Sequence, residues 1–595
     1  MLSLLVLLLP MAWAAPMPAV STASVSNAVG QTITLGRLGR YNPGPFRSGD
    51  PRAAEIVAHD PASQRMFVVN SFTSSVDIVS IATPTAPTLV SSISISQTFG
   101  LGTAANSVAV SNGVVAVAVE ANPKTSPGLV AFFDTNGALL NQLNVGPLPD
   151  MLTFTPDGRS VLTANEGEPN SYGQPTSLDP EGSVSIIDVS GGIAGLTQAN
   201  VRTVGFTDFN AGGPRNGQLS PQIRIFGPGA SVAQDLEPEY IALSADSTTA
   251  YVTLQENNAV AIIDVVAGTV TALVPLGFKD HNQPGNALDP SDRDGPGGAT
   301  AINIVNQPVF GIYQPDGIAS YQVGGQTFLI TANEGDARDY TGFSEEIRAG
   351  ATGYVLDPTT FPNASTLKQN ANLGRLTVTN ATGDSDGDGD FDQINAFGAR
   401  SFSIWNGTTG ALVFDSGDDM ERRTAALYPA NFNANSTADA LDNRSDDKGP
   451  EPEAVTIGTF SGKTYAFVGL ERIGGVMVYD VSTPTAPTFV QYINPRNFPS
   501  NYPSGTPGNT TTPDDLGPEG LTLVMAANSP TGKPLLLVAN EVSGSVSIYE
   551  ITVPPAPTAT PAPPTATPAP PTATPAPTTT PTPAQQRIFL PVVSR

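Results

Sequence analysis

An apolar run that breaks off at Ala-Asn-Glu occurs three times in this chain, in VLTANEGEPNS (161 to 171), FLITANEGDARDY (328 to 340) and LLLVANEVSGS (535 to 545). Each is part of a longer unit: an acid or amide after a turn, an apolar strand, a Gly-rich turn, a second apolar strand ending near Glu, and a third ending near Asp. Seven units can be traced, led by Glu55, Asn106, Asp150, Glu239, Asp316, Glu453 and Glu519. In the six that have both residues, the step from leading residue to closing Glu runs from 14 (Asn106 to Glu120) to 22 (Glu519 to Glu541). Short strands joined by tight turns and repeated in this way predict an all-β fold, a seven-bladed β-propeller. Stacked sandwich domains would not repeat the same local order.

The seventh unit stops after three strands at Ile551. The unassigned run QTITLG, Gln31 to Gly36, has the length and β propensity of a fourth. It is expected to pair beside Ser545 to Ile551 and so close the ring, leaving no strand edge exposed.

In a closed ring, the start of each first strand and the end of each second strand share one face. The leading residues would then form an acidic channel mouth, with Glu120, Glu166, Glu256, Glu334, Glu471 and Glu541 just outside them. Crowded carboxylates raise one another's pKa unless a cation relieves them. The alternative is that each acid caps the amides of its own turn. The long insertions, 168 to 182, 191 to 234, 277 to 314, 336 to 400 and 422 to 449, fall on the same face, which makes the mouth the expected ligand-binding site. Glu55, Asp150, Glu239, Asp316, Glu334, Arg338, Glu453 and Glu519 are its candidate residues.

Composition narrows the chemistry. The 595 residues contain no cysteine and two histidines, His59 and His281, so thiol catalysis, disulfides and thiolate or three-histidine metal sites are excluded, and a metal would rely on hard oxygen ligands. A net charge of −26 repels nucleic acid and anionic lipid. The start, MLSLLVLLLPMAWAAPMP, reads as a signal peptide over residues 1–14, too short in its apolar run for a membrane span. The propeller is expected over 31–552, a stiff Pro/Thr/Ala-rich low-complexity linker over 553–586, and a sorting or attachment tail, RIFLPVVSR, over 587–595.

Asp384-Ser-Asp386-Gly-Asp388-Gly-Asp390-Phe-Asp392 is the sharpest motif: alternating carboxylates and glycines let a tight loop wrap one hard cation. Asp384, Asp386, Asp388 and Asp392 would give side-chain oxygens and Asp390 a backbone carbonyl, and the ion expected is a structural Ca²⁺. Asn395 stands where an EF-hand would have its bidentate Glu. A second polar loop places His281, Asp289, Asp292 and Asp294 together, where the three acids can hold another cation. Gly458-Thr-Phe-Ser-Gly462-Lys463-Thr464 imitates a P-loop but has three residues between its glycines and a strand after its Lys, so it reads as a hairpin. The chain has no G-x-S-x-G elbow and no H-E-x-x-H.

QPDGIASY, FLITANEGDARDY, GPEPEAVTIG, DLGPEGL, LVPLGFKDHNQPGNALDPSDRDG and the DSDGDGDFD loop leading into FGARSFSIWN together resemble the choice-of-anchor I family, from about Gln31 to Ile551. The resemblance implies an exported, surface-located seven-bladed propeller of the YVTN/WD40-like type, similar also to mesenchyme-specific cell-surface glycoproteins. The function expected is a secreted, monomeric, calcium-stabilised binding or adhesion module for an extracellular ligand, with no nucleic-acid partner and no transmembrane helix in the mature chain. The alternative is a metal-dependent phosphoesterase, phytase-like or alkaline-phosphatase-like, acting at the acidic mouth, with Arg338 or Arg348 clamping phosphate.

Overall fold

The computed structural model describes residues 32–42, 53–100, 102–436, 441–498 and 514–554, with Ala576 and Thr578. The described part up to Pro554 is one compact unit. The expected signal peptide, tail and nearly all of the linker lie outside the described residues.

Each of the seven sequence units forms one four-stranded antiparallel sheet. The first holds Val57–Asp60, Arg65–Asn70, Ser75–Ser80 and Thr88–Ser94. The third starts at Pro149–Phe154, the fourth at Pro238–Leu243, the fifth at Ile318–Val323 and the sixth at Pro452–Phe460. The seventh holds Pro518–Val524, Leu535–Asn540 and Ser545–Thr552, joined by the N-terminal strand Thr34–Tyr41. That strand pairs antiparallel with Ser545–Thr552, in register from Thr34 opposite Thr552 to Tyr41 opposite Val546.

The closed seven-bladed propeller is nevertheless corrected by the strand pairing. Among the described residues the hydrogen bonds make nine separate sheets, each open, and no ladder joins one four-stranded sheet to the next. The N-terminal strand completes the last sheet as an edge strand and forms no backbone ladder with the first, which it meets through the Tyr41 hydroxyl donating to Asp77 at 3.1 Å. The YVTN/WD40-like label is withdrawn with the closed ring. The two sheets beyond the seven arise because the insertions carry strands of their own. Phe278–Asp280, Phe310–Ile312, Asn395–Ala396, Thr377–Thr379 and Glu346–Arg348 form a five-stranded sheet with one parallel step, and Asp339–Tyr340 with Phe343–Ser344 a small hairpin.

Side-chain packing joins the sheets instead. Phe67, Ile78, Val117 and Phe133 fill the space between the first and second, Leu162, Ile186, Val252 and Ile263 that between the third and fourth, and Ile330, Phe402, Val468 and Tyr479 that between the fifth and sixth. Met66, Val79, Leu537 and Ile548 pack the seventh against the first. Burying such large apolar side chains stabilises by about 1.5–3 kcal/mol each. The insertions pack on one another: Tyr172 meets Tyr340 and Phe343 edge-on at 5.9 and 5.6 Å, and Arg224 pairs with Glu345. Among the described residues no helix is long and apolar enough to cross a membrane.

Candidate metal centre

The repeated Ala-Asn-Glu has a local cause. Its Asn is buried and cross-links the second strand to the third: Asn165 Nδ2 donates to the hydroxyls of Ser183 and Ser185 at 3.2 and 3.0 Å, and Asn333 Nδ2 to those of Ser401 and Ser403 at 3.2 and 2.8 Å. The next residue, Glu166 or Glu334, therefore leaves the strand at a fixed point.

The leading residues are fixed by a second device. Five of the seven are preceded by proline: Pro149-Asp150, Pro238-Glu239, Pro315-Asp316, Pro452-Glu453 and Pro518-Glu519. In the third, fourth, sixth and seventh sheets the pairing of first and second strand slips directly after that proline, and in the second it slips at Asn106. A bulge of this kind puts one extra residue on one strand and re-aims its side chain. Before the proline the backbone turns left-handed at Leu148 (φ 47°), Gln314 (φ 40°), Glu451 (φ 50°) and Gly517 (φ 75°). Each of these carbonyls accepts an amide from the end of the second strand: Glu166, Gly335, Glu471 and Glu541 donate at 2.8, 3.1, 2.9 and 2.7 Å. The paired acids of a unit are thus pinned together by backbone. A non-glycine residue at positive φ is costly, and such strain clusters at functional sites.

Neighbouring units approach closely because the residue after two of the acids is glycine. A Cβ on Gly317 would stand 2.6 Å from the Glu453 carbonyl oxygen, and one on Gly520 2.5 Å from that of Glu55. Acids far apart in sequence therefore share one electrostatic environment. Desolvation first, then the charges of Glu334, Asp150 and Asp336, push the Asp316 carboxyl well up. Glu519 is raised by desolvation and then by Glu541, Glu55, Asp316 and Asp150, and Glu239 by desolvation and then by Glu256, Glu166, Asp316 and Asp150. Asp150 is pushed up to about 6 by desolvation and Glu120. Side-chain oxygens of Glu239, Glu256, Glu453 and Glu519 are buried without a hydrogen-bond partner among the described residues.

Within this field Asp316, Glu334 and Glu453 each bring one carboxylate oxygen within 4.8 Å of the others, a spacing that fits three oxygens around one divalent ion. Glu334 is held in place by Lys448 at 2.7 Å and by Gln255 at 3.0 Å. Such partners orient a ligand without replacing it. The unpartnered oxygen of Glu453 is what a cation would satisfy. A second trio, Glu334, Glu451 and Glu471, is equally close but already neutralised: Glu451 pairs with Arg444 at 2.7 Å and Arg472 at 3.0 Å, which hold its carboxyl well below the usual range against the desolvation that opposes them.

The structure places the other expected site residues as follows. Glu55, Asp150, Glu239 and Glu519 share the acidic region just described, and Glu55 accepts a hydrogen bond from the Ser71 hydroxyl. Arg338 does not face it openly: it is fully buried, with Asp235 at 2.8 Å, Glu237 at 3.1 Å and the Phe226 ring 4.6 Å below its guanidinium. Arg348 pairs with Asp446 at 3.0 Å. The buried Arg338 is not left to clamp phosphate, while Arg348 stays partly exposed and makes its contacts through one nitrogen, Nη1.

In the 384–392 loop, oxygens of Asp384, Asp386 and Asp392 converge, as do those of Asp357, Asp390 and Asp392, while Asp388 joins neither group. Much of their capacity is used by the loop itself. Asp384 accepts from the amides of Gly387 and Gly389 at 2.7 and 3.1 Å, Asp386 from that of Asp388 at 3.2 Å, and Asp392 from that of Ser385 at 2.8 Å. The alternative reading of acids as turn caps describes this loop well. Nothing in any of these clusters singles out calcium; what they offer is oxygen coordination for a divalent metal. His281 is buried, its Nδ1 2.6 Å from the Asn286 carbonyl, and belongs to no carboxylate cluster. The P-loop imitation is a hairpin, with Lys463 on Asp480 at 2.9 Å.

The expectation of a calcium-stabilised binding or adhesion module is corrected by the same geometry. It rested on a closed ring and on the 384–392 loop, whereas the sheets are open and the carboxylate trios include one suited to a catalytic metal. The Pro-acid dipeptides, all five visible in the chain, and Asp442 are functional candidates that the repeat pattern alone does not single out.

Fold and site define an all-β protein with a crowded carboxylate centre suited to a divalent metal. The sequence profile of the Choice-of-anchor I domain matches residues 55–484, and the chain belongs to that family. It is similar to Gigasin-3a of Magallana gigas, 29% identical over 192 residues, 31% of this chain and 66% of that protein. It is also similar to Mesenchyme-specific cell surface glycoprotein of Strongylocentrotus purpuratus, 25% identical over 375 residues, 57% of this chain and 42% of that one. The chain thus spans less than two thirds of the length of either curated relative. Among solved structures, Kuenenia stuttgartiensis Hydrazine Synthase is similar over 86% of this chain and 99% of that one, at 12% identity and a TM-score of 0.41.

Proposed function

We propose that this chain is a divalent-metal-dependent phosphoesterase whose metal is held by Asp316, Glu334 and Glu453. The observation that carries the reading is the convergence of these three carboxylates with a buried Glu453 oxygen that has no partner. A bound divalent ion would supply Lewis-acid polarisation of a phosphoryl oxygen and a more acidic water. The chain's own residues do the rest. Lys448 and Gln255 fix the Glu334 carboxylate. Asp150, pushed up to about 6 by desolvation and Glu120 and felt electrostatically by Asp316, is the candidate general base. Glu55, Glu239 and Glu519 add their charge to the same acidic region. With Arg338 committed to a buried ion pair, phosphate recognition falls chiefly to the metal.

Membership of the family and similarity to a cell-surface glycoprotein support an exported or surface location, for which the 1–14 segment would be the signal and 553–595 the stalk and tail.

The test is hydrolysis of p-nitrophenyl phosphate by metal-stripped protein resupplied with Ca²⁺, Mg²⁺, Mn²⁺ or Zn²⁺. Turnover should appear with a metal, vanish with EDTA, and fall at least about 100-fold in Glu453→Gln and Asp316→Asn. No turnover with any of these metals, or turnover unchanged in both variants, contradicts the reading.

A further inference from the structure

Two insertions meet at a second set of carboxylates that shares no residue with the Asp316, Glu334 and Glu453 trio. The 277–314 segment brings Asp289 and Asp294, the 422–449 segment brings Asp442, and one carboxylate oxygen of each lies within 4.8 Å of the other two. The sequence pattern pointed to Asp292 as the third acid, but Asp292 turns to Arg375 at 2.8 Å, and its place is taken by a residue 150 positions further on.

Asp289 and Asp442 are fully buried. Asp289 accepts from the Asn303 amide at 2.6 Å, and Asp442 uses one oxygen for the Ser445 hydroxyl. The other Asp442 oxygen, and both oxygens of Asp294, are buried without a hydrogen bond of full geometry, although the Ala301 amide lies near both residues and the Asn303 side chain near Asp294. No basic side chain relieves them among the described residues. The nearest guanidinium, Arg400, is spent on Glu421 at 2.7 Å and on the carbonyls of Asp289, Ser445 and Asp447, and Arg293 leans on Asp292. Crowded carboxylates, two fully buried and Asp294 half-buried, cost up to several kcal/mol per uncompensated buried ion unless protonated or bound to a cation. Desolvation and mutual repulsion accordingly push Asp289 up to about 8 and Asp442 up to about 7.

The geometry points to a second metal site: Asp289, Asp294 and Asp442 bind one hard divalent cation that fastens the 277–314 and 422–449 insertions together. All three ligands are anionic oxygens, so the ion belongs to the Ca²⁺, Mg²⁺ or Mn²⁺ class, and ligands from two distant segments make it a cross-link. It acts on the two loops beside the fifth sheet and takes no part in the reaction assigned to Asp316, Glu334 and Glu453.

The experiment compares the metal content and thermal melting of full-length wild type and Asp442→Asn, each stripped with EDTA and then equilibrated with Ca²⁺, Mg²⁺ or Mn²⁺ alone. The variant should bind about one ion fewer per chain and show a smaller metal-induced rise in Tm. Should Asp442→Asn fail to fold, Asp294→Asn serves with the same readouts. Wild-type stoichiometry together with a wild-type metal-induced rise overturns the site. Glu453→Gln run in parallel removes the other ion, so loss in one variant and not the other tells the two sites apart.

Discussion

The amide of Gly317 donates to the carbonyl of Glu453 at 3.0 Å, so the fifth and sixth sheets touch at the residue next to Asp316. This contact sets the spacing of two of the three proposed metal ligands. It needs a glycine because a methyl group there would stand 2.6 Å from that carbonyl oxygen and 3.1 Å from the Val455 amide.

Gly317→Ala should therefore push the two sheets apart, lowering stability by about 1–3 kcal/mol and weakening metal binding at the trio. Gly36→Ala, in the N-terminal strand with nothing within 4 Å of its added Cβ, should change stability by less than about 1 kcal/mol. Chemical denaturation and metal titration of both variants check the contrast.

The metal-free protein should lose stability as pH rises. Desolvation and neighbouring acids push Asp150 up to about 6, Asp442 up to about 7 and Asp289 up to about 8, against roughly 4 for an unfolded carboxyl. Between those values the folded state holds more protons than the unfolded one, so ∂ΔG/∂pH for unfolding is negative. Melting in EDTA should give a Tm that falls by a few degrees from pH 5.5 to pH 8. Saturating divalent metal should flatten that slope, since ligands already ionised by a cation have no proton to lose.

Glu451 works in the opposite sense. Fully buried between Arg444, Arg472 and Lys448, it is ionised and paired, and Glu451→Gln would leave guanidinium groups without their counter-charge. The expected loss is about 3 kcal/mol, read by denaturant unfolding at pH 7.

Arg338→Lys separates a structural guanidinium from a substrate clamp. The planar fork that reaches Asp235 and Glu237 cannot be reproduced by an ammonium, so stability should fall by about 2 kcal/mol. KM for a phosphomonoester should stay unchanged, because the residue is buried away from solvent.

Much of the fold is legible in the chain because its signals are local. Alternating apolar residues with Gly-rich turns mark each of the seven four-stranded sheets, whereas the strand that pairs with Ser545–Thr552 is Thr34–Tyr41, overlapping the expected Gln31 to Gly36 run only at residues 34–36. How the sheets join is not local. Side chains such as Met66 and Leu537 pack them together, while hydrogen bonding leaves them as nine open sheets, two of which come from insertions with no repeat to announce them. The same divide runs through the sites. Asp316, Glu334 and Glu453 follow from their place in the unit, whereas Asp442 and the Arg375 partner of Asp292 depend on where long insertions fold back. Arg338 shows the limit well: four residues after Glu334 in sequence, its side chain pairs instead with Asp235 and Glu237.

The most direct test of the metal centre is anomalous diffraction from crystals of the full chain grown with Mn²⁺. The account predicts a peak about 2.1–2.3 Å from carboxylate oxygens of Asp316, Glu334 and Glu453, lost in Glu453→Gln. Crystals that show manganese elsewhere on the protein but none between these three carboxylates would contradict it.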